Sequence, residues 1–300
     1  MKAVSWKETM MGNTKWVIGC LAGMCCLTLC GGRVCRAQET DPEVDGRPLS
    51  QWVKQLRSDN RGLQLRAART LGTAPASLHA RIVPLVIPVL KSDRENDKFA
   101  AAQVLGECGP AARAAVPDLL PMLVGTQYER NRAAAAKSLG QILKEAKPDE
   151  EVEQVTQALA RAFADPYSDV RREAGRACGM IGPAAKSCIA ELPRLFDDPK
   201  YPAKPVGGPT WEEMAMVQSA GIWAAGRMGA LAACHMDRLV ALLHGNLGGD
   251  AAETIGRIGE KHQLIATGAP PPLALLPAFD QHLHRAPHKF AVDLADDALL

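Results

Sequence analysis

Aromatic side chains are scarce in this sequence: Phe, Trp and Tyr together make up 4% of its 300 residues. The core must therefore be built from Ala, Leu, Val and Ile, which suits closely packed helices better than sheets, where aromatic and β-branched residues are enriched. An excess of charge of one sign is also missing, because residues 38–300 carry 30 basic and 32 acidic side chains. Such a chain lacks the basic surface that nucleic-acid binding requires, so we expect no nucleic-acid partner.

Recognisable catalytic motifs are absent as well. The sequence holds no Gly-x-Ser-x-Gly, no phosphate-binding loop and no Cys-His nucleophile signature. Six of the seven histidines follow residue 234, but His282 and His284 are two positions apart and would point to nearly opposite sides of a helix, which is poor for chelation. We therefore expect solvated surface histidines, no metal and no cofactor.

The first 37 residues are typical of an export signal. A basic start precedes an uncharged run over residues 16–32, and Cys35 and Ala37 supply small side chains at the −3 and −1 positions of a cleavage site before Gln38. An uncleaved anchor is the alternative, because this run is just within the ~17–25 residues needed to span a bilayer. The prediction is a protein exported to the periplasm or cell envelope, with its signal cleaved after Ala37 and membrane contact only if cleavage fails.

A repeat runs through the rest of the chain. One glycine recurs at steps of 34, 34, 39, 47 and 30 residues, with a small residue five positions before it and a mostly apolar one directly before it. These two positions lie on one face of a helix, and small side chains there let a neighbouring helix come close. The six copies therefore predict six first helices, marked by Gly72, Gly106, Gly140, Gly179, Gly226 and Gly256.

Each marked glycine is expected to end its helix as a left-handed C-cap. A second helix rich in Leu and Pro then completes a hairpin, which must stack on its neighbours to cover its apolar face. A Pro- and Gly-rich insertion at 197–210 explains the longest step. The repeat domain is thus predicted over 46–300 after a linker at 38–45, and it opens with a capping helix at 46–56 whose N-cap is Ser50.

The cysteines and one acidic run complete the residue-level predictions. Cys108, Cys178, Cys188 and Cys234 lie in helical patterns and are interpreted as small buried hydrophobes. A disulfide between Cys178 and Cys188 is the alternative, which export would permit. The run KPDEEVEQ at 147–154 predicts a helix start with carboxylates near its positive end, on a solvated face.

The repeat columns resemble HEAT repeats of the short bacterial kind. The best copy, residues 164–185, is similar to that family's Asp-Pro-x-x-Asp-Val-Arg-x-x-Ala-x-x-x-Leu-Gly-x-x-Gly-Pro pattern, with Cys178 in place of the Leu. The resemblance implies an all-α, right-handed α-solenoid of about six helical hairpins, preceded by the signal segment. It also implies that Asp169 and Arg171 are structural and pair within and between units.

The resemblance and the missing catalytic motifs predict a non-enzymatic scaffold that binds one or more protein partners. Lys200, Tyr201 and Lys204 are the candidate contacts, because an inserted loop tolerates function better than a packed helix. Two alternatives stay open: an enzyme or cofactor-handling protein similar to the bilin lyases related to these repeats, and a purely structural arm of a larger assembly. The di-iron hydroxylases of this architecture use His-Glu pairs, which the sequence lacks.

Overall fold

The computed structural model describes residues 41–125, 128–198 and 211–266, without the side chains of 211–213 and 260–266. The predicted signal or anchor segment lies outside these residues. So do the proposed contacts Lys200, Tyr201 and Lys204. The chain divides into two units, Met1–Asp41 and Pro42–Leu300, and every described residue except Asp41 belongs to the second.

A small cap covers the start of the second unit. Strands β1 (Glu43–Val44) and β2 (Arg47–Pro48) form an antiparallel hairpin, and helix α1 (Leu49–Leu56) follows directly. Trp52 is fully buried, and its indole Nε1 donates a hydrogen bond to the carbonyl of Val44 at 2.8 Å. The indole therefore fixes the hairpin to the helix.

Two predictions about this cap are wrong. The linker expected at 38–45 ends earlier, because β1 and the buried Val44 already belong to the folded unit. Ser50 is not the N-cap either. Helix α1 begins at Leu49 behind Pro48, with no side-chain cap, because proline's fixed φ suits a helix entry without a capping side chain.

The six predicted first helices are all present, and each contains its marked glycine. In each, the residue five positions before the glycine is buried, and the alanines at this position in α2, α4, α6, α8 and α12 are fully inaccessible. Consecutive first helices pack on one another along the chain. They are α2 (Arg61–Gly72), α4 (Glu95–Glu107), α6 (Glu129–Ile142), α8 (Ser168–Ile181), α10 (Trp211–Met228) and α12 (Gly248–Ala266).

The second helices form a parallel layer, and most of them are divided between 3₁₀ and α geometry. Gly-Pro starts a 3₁₀ segment in two of these units, and an α-helix follows later. The elements are α3 (Ala76–Val86) with the 3₁₀ segment Ile87–Lys91, the 3₁₀ segment Gly109–Ala115 with α5 (Val116–Gly125), α7 (Glu150–Ala162), the 3₁₀ segment Gly182–Glu191 with α9 (Pro193–Phe196), and the 3₁₀ segment Gly229–His235 with α11 (Met236–Leu242).

One apolar core joins these hairpins from Val44 to Ile258. Each hairpin packs on its neighbours through both its first and its second helix. The fold is therefore the predicted all-α solenoid, with the two-stranded hairpin as an addition at its start.

The marked glycines do not cap their helices, contrary to the prediction. Gly106, Gly140 and Gly179 lie inside α4, α6 and α8. A Cβ built on Gly140 would lie 2.5 Å from the Cα of Ala177 on the next first helix. At Gly106, Gly140 and Gly179 the column is therefore a close contact between helices, where an added Cβ does not fit.

The left-handed caps come three residues later. Gly182 ends α8 with a φ of 73°, and Gly109 and Gly229 have φ values of 57° and 63° at the equivalent positions. Only glycine adopts such angles without a steric cost. In these three units the second glycine thus turns the chain, and the first admits the neighbouring helix.

Candidate protein-binding surface

Arg171 is a structural residue at the centre of the array. It is fully buried, and its Nε and Nη2 lie 2.5 and 2.9 Å from the two carboxylate oxygens of Asp198. Its Nη1 donates to the carbonyl of Asp165 at 2.8 Å. The guanidinium thus fixes the end of the second helix of its own unit and the segment that enters its first helix.

Other units use the same helix position in the same way. Arg132 makes a two-pronged pair with Asp165, with nitrogen–oxygen distances of 2.7 and 3.0 Å. Gln64 and Gln218 donate from their amides to the carbonyls of Leu56 and Phe196, at 3.0 and 2.9 Å. These side chains connect the first helices α2, α6 and α10 to the end of a neighbouring helix.

Asp169 behaves differently from the expectation of pairing between units. Its carboxylate lies 2.9 Å from Nη1 of Arg172, three positions along the same helix, and about half of its side chain is exposed. Such an exposed pair adds little stability. Asp169 therefore supports its own helix only.

Cys178 and Cys188 form a disulfide that connects α8 to the following 3₁₀ segment. This overturns the preferred interpretation of both as free buried hydrophobes and supports the alternative. The turn at Gly182 brings the 3₁₀ segment back towards α8, so that Cys178 and Cys188 meet. Cys108 is free and buried, and burial, aided by the charge of Glu107, raises the pKa of its thiol to about 11. Cys234 is also free but exposed, so the interpretation of this residue as a buried hydrophobe is wrong.

The second-helix surface, which we define by the side chains of α3, α5 and α7 that point away from the core, carries exposed apolar residues. Pro117, Pro121 and Val124 share one face of α5 at a helical spacing, and Val124 is 62% exposed. Leu85 and Pro88 are exposed in the preceding unit. Neighbouring apolar groups of this kind mark interaction surfaces in soluble proteins.

A groove lies on this surface where α5 meets the start of α7. This second-helix groove encloses about 400 Å³. Apolar side chains form part of its wall, and charged side chains from the start of α7 form most of the remainder. Its lining residues are Arg113, Val116, Pro117, Leu120, Asp149, Glu150, Glu151, Gln154 and Val155.

The charges in the second-helix groove are set by the start of α7, where the helix start predicted from the acidic run is confirmed. Asp149 is the N-cap, and its carboxylate accepts from the backbone N–H of Val152 at 2.9 Å. This bond and the guanidinium of Arg113 lower the pKa of Asp149. Arg113 also donates from Nε to Glu151 at 2.8 Å. The groove thus holds three carboxylates around one guanidinium that two of them already engage.

A second groove, of about 350 Å³, lies between α4, α6 and α8 on the first-helix side. Its charged groups largely satisfy one another. The guanidinium of Arg130 stacks over the ring of Phe99, 4.5 Å from the ring centroid. Arg172 pairs with Glu173 at 3.1 Å and also with Asp169. This groove offers less uncompensated charge to a partner.

Within residues 41–125, 128–198 and 211–266, no three His, Cys, Asp or Glu side chains come together in a group that could hold a metal ion. None of the helices in these ranges combines the length and the apolar character needed to cross a membrane.

The chain is similar to known proteins both in sequence and in structure. Residues 49–140 and 83–179 match the family described as HEAT repeats. HEAT repeats therefore lie within residues 49–179. No curated protein matches the sequence. Crystal structures of two engineered proteins each match 71% of this chain with a TM-score of 0.53. The first is 22% identical and is matched over 97% of its own length, and the second is 18% identical and is matched over 99%. At these identities the likeness shows the fold alone.

A third similar structure is the complex of CpcE and CpcF of phycocyanin lyase from Nostoc sp. PCC7120. It matches 82% of the HEAT-repeat chain and 97% of its own chain, at 19% identity and a TM-score of 0.47. A likeness of this strength carries no argument about activity.

The sequence did not predict the second-helix groove. Its residues come from two separate hairpins, and no motif connects them along the chain. The acidic run is the signal that the sequence contains, but its position opposite Arg113 depends on how the two hairpins stack.

Proposed function

We propose that this HEAT-repeat chain is a non-enzymatic scaffold that binds a protein partner through its second-helix surface. The observation that carries the proposal is the coincidence of exposed apolar side chains on α3 and α5 with an open groove between α5 and α7. Stacked repeats commonly present such an extended surface to a partner. The absence of catalytic motifs from the sequence supports the non-enzymatic part.

Site-specific photo-crosslinking in the native compartment tests the proposal. A photoreactive residue at Pro117 or Gln154 samples the second-helix surface, and one at Gln103 or Lys137 samples the first-helix side as a matched control. We expect covalent adducts with a protein partner from the first pair of positions. Adducts from the control positions alone, or from none, would contradict the proposal.

The proposal includes export to the periplasm or cell envelope. The disulfide between Cys178 and Cys188 supports it, because such bonds persist in oxidising compartments and are rare in the cytosol. The predicted cleavage is checked by sequencing the N-terminus of the native protein, which we expect to begin at Gln38. A reduced pair of cysteines in protein trapped in its native compartment would argue against export.

The cofactor-handling alternative has a simple test. Absorbance spectra and elemental analysis of protein purified from its native source report a bound pigment or metal. We expect a colourless protein with no stoichiometric metal. A visible chromophore would favour a cofactor-handling role instead.

A further inference from the structure

We propose that the second-helix groove holds a peptide segment of the partner in which a lysine or arginine is flanked by apolar side chains. This inference rests on the proposed function as a protein-binding scaffold and specifies the chemistry of the partner. It follows from three properties of the groove: its apolar wall, its excess of carboxylates and its backbone acceptor.

The apolar wall comes from the hairpins on both sides. Val116 and Leu120 of α5, Val155 of α7 and the exposed Pro117 line the groove, and the two valines are buried beneath its surface. Leu120 is only partly buried, so part of its side chain stays in contact with water. A partner's apolar side chain placed here would remove that surface from water, which is the main favourable term in association.

The charge in the groove is unbalanced. Asp149, Glu150 and Glu151 carry three negative charges, and Arg113 carries one positive charge. Arg113 already bonds to Asp149 and Glu151, so it is engaged within the chain. The carboxylate of Glu150 accepts a long hydrogen bond of 3.4 Å from the amide of Gln154, which is an uncharged donor. A cationic side chain is the complement that this arrangement lacks.

The backbone of α5 adds an acceptor that belongs to a lining residue of the groove. Pro121 lies inside this helix and has no N–H, so the α-helical hydrogen bond to the carbonyl of Pro117 cannot form. Arginine and lysine side chains carry several donors and no acceptor, and they suit a carbonyl next to carboxylates. An acidic segment would be repelled, and an uncharged one would leave the carboxylates without a partner.

Peptide titration against the full chain tests this inference. The probes are fluorescein-labelled peptides of equal length that alternate Leu with Arg, Leu with Glu or Leu with Ser, and fluorescence anisotropy measures their affinities. We expect the Leu-Arg peptide to bind most tightly. Its affinity should fall as the salt concentration rises, because salt screens the carboxylates of the groove.

Two charge reversals locate the binding site. Glu150→Lys removes the uncompensated carboxylate from the first turn of α7. Asp237→Lys is the matched control, because Asp237 is an exposed acidic residue in the first turn of α11, away from the groove. We expect Glu150→Lys to weaken Leu-Arg binding by about fivefold or more, in line with an exposed ion pair, and Asp237→Lys to leave it unchanged. Circular dichroism verifies that both variants keep their helical content.

Two kinds of outcome would overturn the inference. The first is that the Leu-Glu or the Leu-Ser peptide binds as tightly as the Leu-Arg peptide, or that none of them binds. The second is that Glu150→Lys and Asp237→Lys change the affinity for the Leu-Arg peptide equally. If the photo-crosslinks at Pro117 or Gln154 persist in any of these cases, the scaffold function stands and only the partner chemistry is wrong. If the crosslinks are absent too, both proposals fail.

Discussion

Replacing Gly140 by alanine should destabilise the array, although alanine is the better helix former. In a helix interior this exchange normally stabilises by about 1 kcal/mol. Here the new Cβ would lie 2.5 Å from the Cα of Ala177 and 2.7 Å from its Cβ, whereas carbon atoms normally rest about 3.5–4.0 Å apart. Because the Cα and Cβ of Ala177 cannot move independently of the α8 backbone, α6 and α8 must separate. Overpacking of this kind costs about 1–3 kcal/mol, and we expect the upper end.

The net expectation is a loss of about 2 kcal/mol in the free energy of unfolding. Gly259→Ala is the matched control, because Gly259 lies inside α12 and a Cβ there would meet no atom within 4 Å. That exchange should stabilise by about 0.5–1 kcal/mol. Urea unfolding followed by circular dichroism measures both midpoints at equal m values. If Gly140→Ala were as stable as the control, the tight approach of α6 and α8 would not be what this glycine permits.

Three further predictions concern buried groups. Arg171→Met should cost about 3–5 kcal/mol in urea unfolding, because it leaves the Asp198 carboxylate buried without its partner, and adding Asp198→Leu should recover much of the loss. Replacing Cys178 and Cys188 together by alanine should lower the free energy of unfolding by about 3 kcal/mol for so short a loop, and an unchanged midpoint would contradict this. Cys108 should resist iodoacetamide near neutral pH until denaturant is added, as peptide mass mapping would show, because its raised pKa keeps the thiol protonated.

The number and order of the first helices could be predicted from the sequence, because small side chains recur once per hairpin at a helical spacing. The role of the marked glycines could not. A glycine near the end of a helical pattern fits both a left-handed cap and a close helix contact. The φ of 73° at Gly182 and the contact made at Gly179 distinguish them, and both depend on where the next helix lies.

The candidate site was less predictable than the fold. The carboxylates of the second-helix groove were visible as an acidic run, and the start of α7 was correctly expected there. Their opposition to Arg113 depends on how two hairpins stack, because Arg113 and Asp149 are 36 positions apart in the sequence. A single sequence with no covarying positions contains no direct record of such a pair. For the same reason the sequence offered the disulfide only as an alternative, since its two cysteines meet only where the turn at Gly182 folds the chain back.

The buried pair of Arg171 and Asp198 has a consequence for how the array opens. Stacked repeats lose structure most easily at their ends, where a unit has only one neighbour. Opening that starts at α12 can pass α10 by exposing mainly apolar and small side chains. To continue into α8 it must separate a guanidinium and a carboxylate that are both fully buried, within a hairpin that a disulfide also closes. We therefore expect native-state hydrogen exchange to show a step at this unit, with fraying on its C-terminal side and concerted opening beyond it.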